Sequence, residues 1–257
     1  MYQTELPDLI QDVVDNMDLS MKITDYTRSG TTHTIEVCDV KWLQIGRTIT
    51  IDGSDYKIES VNDSTNVIVC TGAASDITAN TFDIYAPVFF YGTPLEQDQK
   101  LKAIPNIADK TPMFYLLLTY KERNIADAED PIEREVTCRI FGLTSSVHEK
   151  RTDDIQSLYV KPMSRMCQEF IDTMKGMKGT FYTENLTFDT VPQHKFGVYI
   201  TNTGVQKPFF TDKLSGIEMD FDRLAVRKGH NCTATCRLYD IPSGIGVMTV
   251  GNTFTIA

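Results

Sequence analysis

His230, Cys232 and Cys236 form the one cluster in this sequence whose residue types could hold a metal ion. A structural zinc site takes four ligands, with its cysteines usually two to four residues apart. Cys232 and Cys236 would share one face of a strand, and no fourth ligand is near them. The trio therefore reads as two core thiols beside a turn histidine. Asp52, Asp55 and Glu59 put three carboxylates close together, but the Asp-x-Asp-x-Asp-Gly register of a calcium loop is missing, so they read as an acidic turn rim. No Gly-Lys pair exists, which removes the phosphate loop. Gly244-Ile245-Gly246 is followed by Thr249 where a dinucleotide fingerprint needs Gly or Ala. There is no Gly-x-Ser-x-Gly elbow, and His148-Glu149 lacks the second histidine of a zinc-protease helix. The expectation is a non-enzymatic protein with no metal and no cofactor.

Composition narrows the partners. The chain has 257 residues, 41% hydrophobic and 23% charged, so it can bury a sizeable core without staples. Its net charge of −10, from 25 Lys+Arg against 35 Asp+Glu, argues against a protein that coats duplex DNA, because such affinity comes from basic residues on phosphates. It suits a protein whose negative walls DNA passes without sticking. The six cysteines do not form a disulfide framework and are expected to be reduced. The opening residues carry no basic-then-apolar leader, and the longest apolar run, Met113 to Leu118, is too short to span a bilayer. The expected setting is a cytosol, or a particle assembled in one, with no membrane contact.

The elements that must carry these residues follow from hydrophobic period. Leu6, Leu9, Ile10, Val13, Val14 and Met17 mark one face of a short helix, with Thr4 as N-cap and Pro7 in the first turn. From residue 19 to residue 87 the period becomes two. Ile35/Val37, Ile49/Ile51, Tyr56/Ile58, Val67/Val69 and Phe82/Ile84 are read as inward pairs, separated by Ser29-Gly30, Asp52-Gly53-Ser54 and Asn62-Asp63-Ser64 turns. Five or six such strands predict a small, mostly antiparallel barrel with Trp42 at its base. Beyond it, Phe114–Thr119 and Glu133–Ile140 predict a hairpin with an acidic tip. Pro162 opens a helix bearing Met163, Met166, Phe170, Ile171 and Met174, which Gly176 and Gly179 end. Its methionines read as core or as an adaptable partner surface. Strands follow near 179–189 and 195–201, and 215–226 and 233–239 read as a final antiparallel pair. The parse is one α+β domain interrupted by the barrel, with the first helix packed on the later sheet.

Several segments resemble the neck and tail-completion (tail-terminator) proteins of tailed bacteriophages. Glu5-Leu6-Pro7-Asp8-Leu9-Ile10 looks like their opening helix. Phe90-Tyr91-Gly92-Thr93-Pro94-Leu95-Glu96 through Pro112-Met113-Phe114-Tyr115-Leu116 is similar to their first strand region. Tyr159-Val160-Lys161-Pro162-Met163 leading into Cys167-Gln168-Glu169-Phe170-Ile171 resembles their central helix, and Leu214-Ser215-Gly216-Ile217-Glu218-Met219-Asp220-Phe221 the strand that closes the sheet. The barrel departs from small terminators and resembles larger ring proteins of short-tailed phages such as the crAss-like group. The likeness implies a tail-terminator-like antiparallel or mixed sheet with packed helices over residues 1–18 and 88–240, an inserted barrel at 19–87, and an extended arm at 241–257. It further implies a structural virion protein at the head–tail connection, assembled in the bacterial cytoplasm. Its partners would be itself, in a ring of six or twelve copies, neighbouring ring or portal proteins, and DNA passing without sequence-specific binding.

On that view Asp127, Glu129 and Asp130, at the hairpin tip, would line the lumen or touch an adjacent ring. The uncharged C-terminus, with Val247, Thr249, Phe254 and Ile256 alternating, would pair with a neighbour's strand edge. Two other classes remain open. A barrel that grips a glycan or peptide would display Tyr26, Trp42 and Tyr56 on one face. An enzyme with an unrecognised carboxylate site would show converging acids of raised pKa.

Overall fold

The structure, a computed structural model, describes residues 5–125, 132–200, 206–227, 247–249 and 253–255. Helix α1 (Leu6–Asp15) buries Leu6, Leu9, Ile10, Val13 and Val14 on one face, as the spacing predicts. Pro7 sits in its first turn, where a missing N–H costs nothing. The N-cap position is Glu5, whose side chain makes no cap bond, and Thr4 lies outside the described residues.

Six strands follow: β1 (Ser20–Ser29), β2 (Thr32–Val37), β3 (Thr48–Ile51), β4 (Ser54–Asn62), β5 (Val67–Thr71) and β6 (Thr81–Asp83). They form one sheet in the order β3-β4-β5-β2-β1-β6, all antiparallel. A bulge between Ile23 and Asp25 bends β1, which pairs with β6 through its first part and with β2 through the rest. The sheet curls until its two edge strands meet. There Asp52, just past β3, accepts hydrogen bonds from the backbone N–H of Thr78 (2.6 Å) and of Ala79 (3.0 Å) ahead of β6. The result is a nearly closed, barrel-like sheet. Asp52-Gly53 turns β3 into β4 with both residues at positive φ (52° and 74°), the turn that matches strand twist.

The barrel interior holds Ile35, Val37, Ile49, Ile51, Tyr56 and Ile58, as read from the sequence. β5 is the exception. Ile68 and Cys70 are fully buried, whereas Val67 and Val69 are half-buried. Four consecutive apolar residues carry no phase of their own, and the ladder with β2 and β4 sets it.

The second sheet has the order β11-β14-β10-β8-β7. Its strands are β7 (Val88–Gly92), β8 (Met113–Leu117), β10 (Ile132–Ser145), β11 (Phe181–Phe196) and β14 (Leu214–Arg227), with β9 (Lys121–Asn124) also pairing β10. β7 and β8 run parallel, joined through α2 (Pro94–Ala103). Between β11 and β14, β12 (Val198–Ile200) and β13 (Gln206–Pro208) form a small ladder of their own. Of the two strands read at 179–189 and 195–201, the first is the long β11, which runs on to Phe196, and the second is for the most part β12. The strand expected at 233–239 lies outside the described residues, and β14 pairs with β10 and β11 instead.

The helix read as starting at Pro162 begins ten residues earlier. α3 (Thr152–Ile155) passes through a π-helical turn (Gln156–Val160) into α4 (Lys161–Gly176) without a break. Pro162 has no N–H to give and its ring crowds the preceding turn, and the widened turn ahead of it gives that ring room. Met163, Met166, Phe170, Ile171 and Met174 are buried, so the methionine stripe is core.

Alternation splits this sheet between two cores. Phe114, Leu116, Val136, Cys138, Ile140, Met219 and Phe221 face α1 and α4. Met113, Tyr115, Phe141, Leu143 and Leu214 face α2 and Phe210 on the opposite side. Gly142 lets α4 come close, since a Cβ there would stand 2.5 Å from Cys167 Sγ. The first core continues without interruption through Trp42, Leu43, Met17 and Met21 into the barrel. The barrel strands thus share their packing with the rest of the chain.

Candidate functional site

Polar side chains from distant segments fasten the barrel to the helices. Asp63, in the turn after β4, accepts from Arg165 Nη1 (2.9 Å) and Nη2 (2.9 Å) and from Lys161 Nζ (2.6 Å), all on α4. Burial works against the charge of Asp63, but these hydrogen bonds outweigh it and hold its carboxyl below the usual range. Lys41 donates to the backbone carbonyl of Asp18 (2.6 Å) and to its carboxylate (3.0 Å), which holds the Asp18 carboxyl down as well. Trp42 donates its indole N–H to Tyr85 O (3.2 Å), and the Tyr85 hydroxyl donates back to Trp42 O (3.0 Å).

Beside this junction lies a cleft of about 580 Å³. One wall is the β2–β3 connection, Gln44 to Arg47. Another is Ser145, Ser146, Val147 and Lys150, where β10 runs out. Leu158 and Tyr159 of the π-helical turn and Ile107 complete it. Among the described residues no carboxylate lines it. Arg47 lies over the Tyr85 ring, 4.9 Å from its centroid, and donates to the carbonyl and hydroxyl of Thr111. Burial lowers the pKa of its guanidinium. Gln44 is 7% exposed; its Oε1 accepts from Thr144 (3.0 Å), and its Nε2 meets no hydrogen-bond acceptor among the described residues.

The titratable groups are quiet. Burial pushes the thiols of Cys70 and Cys138 up to about 12, and that of Cys167 further up, so none is a thiolate at neutral pH. His33, fully buried in the barrel, donates from Nε2 to Ala73 O (2.8 Å) and accepts at Nδ1 from the Tyr26 hydroxyl (2.9 Å). His148 donates to Leu214 O (2.9 Å), and burial lowers its pKa.

The carboxylates behave alike. Backbone N–H bonds from Thr78 and Ala79 hold Asp52 down. Those from Thr93 hold Glu96, and Lys213 holds Glu149. Burial pushes Asp98 up, but Lys102 and Thr211 win. No resolved carboxylate shift among the described residues runs upward, so none of these acids is held protonated for proton transfer.

Among the described residues no group of three or more His, Cys, Asp and Glu could hold a metal, and no helix is long and apolar enough to cross a membrane. His230, Cys232 and Cys236 lie outside those residues. Asp52, read as part of an acidic rim, is instead the clasp of the barrel edges. Of the aromatics that would mark a gripping barrel face, Trp42 and Tyr56 are buried and Tyr26 is half-buried against His33.

Asp127, Glu129 and Asp130 lie outside the described residues; the base of their hairpin is closed by Ile125 N–H to Glu133 O (2.8 Å). Val247, Thr249 and Phe254 are described, and Ile256 is not. In place of one extended arm, β15 (Val247–Thr249) and β16 (Thr253–Thr255) pair antiparallel with each other, Met248 opposite Phe254. The cleft itself was invisible in sequence, because its residues come from segments as far apart as Gln44 and Tyr159.

No protein-family model, curated protein or solved structure matches this chain.

Proposed function

We propose that the chain is a structural assembly protein that closes into a ring through head-to-tail contacts. The setting suggested by the likeness to tail-terminator proteins is the neck or tail of a phage, with DNA passing through the lumen. The observation that carries the reading is β11. It is a 16-residue strand at the edge of its sheet, with Glu184, Thr187 and the run Asp189 to Pro192 exposed, and among the described residues nothing pairs with its outer side. An edge of backbone N–H and C=O groups, interrupted at Pro192, is a template for another chain. The lowered carboxylates, raised thiols and buried barrel aromatics fit a protein that assembles and performs no chemistry.

Native mass spectrometry with electron microscopy of the purified chain tests this. A closed particle of six or twelve copies supports it. A monomer at every concentration up to the solubility limit overturns it.

A further inference from the structure

Three observations converge on the cleft beside the barrel junction. First, Ile45, Ile107 and Val147 are 50%, 37% and 45% exposed, and all three line it. They come from three separate segments, and large exposed aliphatics gathered at one depression mark an interaction site rather than scattered surface. Second, the charged side chains among its described lining residues are both cationic, Arg47 and Lys150, in a chain whose net charge is −10. Third, Gln44 in its wall is more than nine-tenths buried, and its Nε2 has no acceptor among the described residues, so the wall carries an unsatisfied polar group. The volume falls in the range of roughly 300–1,000 Å³ in which proteins build ligand clefts.

We infer that this cleft receives an aliphatic, carboxylate-bearing segment of a second copy of this chain. Ile45, Ile107 and Val147 supply apolar contact, and Lys150 and Arg47 attract the carboxylate. The charge balance selects the occupant, since a second copy brings the excess of acidic groups that the cleft lacks. A cleft on one subunit and a segment on the next make a heterologous contact, the kind that closes into rings. The inference rests on the proposed ring and names one of its two mating surfaces.

The test uses the full chain and two exposed-site variants, Val147→Asp and Lys150→Glu, with Leu118→Asp, another exposed apolar position outside the cleft, as control. Sedimentation should show each cleft variant associating at least 10-fold more weakly than the wild type, with an unchanged thermal midpoint, while the control assembles normally. Wild-type association with undiminished assembly of both cleft variants sinks the cleft and leaves the ring standing. Absence of wild-type association sinks both. Independently, Val147→Cys in a Cys38→Ser background, carrying a benzophenone maleimide at position 147, is photolysed in a mixture of ¹⁴N and ¹⁵N chains. Cross-linked peptides of mixed isotope are the expected result, and cross-links within single chains only would overturn the inference.

Discussion

Asp63 and Arg165 face each other across the junction between barrel and helix, 102 residues apart in sequence, joined by two parallel N–H···O contacts of 2.9 Å. Both side chains are about a quarter exposed. A guanidinium fork on a carboxylate at that depth is among the stronger polar contacts a protein makes. Arg165→Met should lower stability by about 1–3 kcal/mol, and Lys161→Met by less, in urea unfolding followed by circular dichroism. Equal losses would mean the fork geometry contributes nothing.

The same carboxylate gives a pH dependence with a definite sign. Asp63 and Asp52 are both held below their ordinary values, so their contribution is present above the unfolded pKa of about 3.9 and is lost as pH falls through the lower folded values. Trp42 is the sole tryptophan and lies buried at the barrel, so its emission reports on that region. The expected outcome is a red shift on acidification below about pH 4, moved to higher pH and to milder denaturant in Asp63→Asn. A titration identical to wild type counts against the assignment.

Gly142 sits where α4 crosses β10, and a methyl there meets Cys167 and Met166. Gly142→Ala should cost about 1–3 kcal/mol by overpacking. Gly216→Ala should cost more, because the clash is with the backbone of Gly142, which cannot rotate away. Thermal melts of the two variants order them, and Cys167→Ala should partly rescue the first and leave the second unchanged.

Cys38 is exposed, while Cys70, Cys138 and Cys167 are buried with raised pKa values. Brief alkylation of the native protein at pH 8, read by peptide mass mapping, should label Cys38 at least tenfold faster than those three. Comparable labelling would show that the barrel and helix cores open readily.

Val191, on β11, is 45% exposed, and a lysine placed on an edge strand discourages pairing with another chain. Val191→Lys should change stability by less than about 0.5 kcal/mol yet reduce self-association. Unaltered association would remove this part of β11 from the interface.

How much of this was legible beforehand differs from element to element. α1 and most barrel strands follow their hydrophobic period, because one face of each is wet and the other dry. β5 has no wet face in its sequence, so the phase of Val67 to Cys70 came only with its neighbours. α2 buries just Gln97, Asp98 and Leu101 and shows no apolar stripe, yet Thr93-Pro94-Leu95-Glu96 spells a capping box that the fold uses: Thr93 N–H donates to Glu96 at 2.8 Å. Proline as a start signal misplaced the beginning of the long helix, since a π-helical turn accommodates it inside. β14 keeps Met219, Phe221, Leu224 and Val226 inward only because a bulge opposite Val136 and Cys138 shifts the alternation. The cleft had no local signature, since Gln44, Ile107 and Val147 share no periodic segment.

The clasp of Asp52 on residues 78 and 79 gives the barrel a direction of failure. Everywhere else around its circumference adjacent strands are laced by backbone ladders, which resist shear as a row. Between β3 and β6 the described closure is a single carboxylate holding two N–H groups and a hydroxyl. Pulled apart, the barrel therefore has one weak line, and it would open there like a cut cylinder unrolling, with β6 still laced to β1 and β3 still laced to β4.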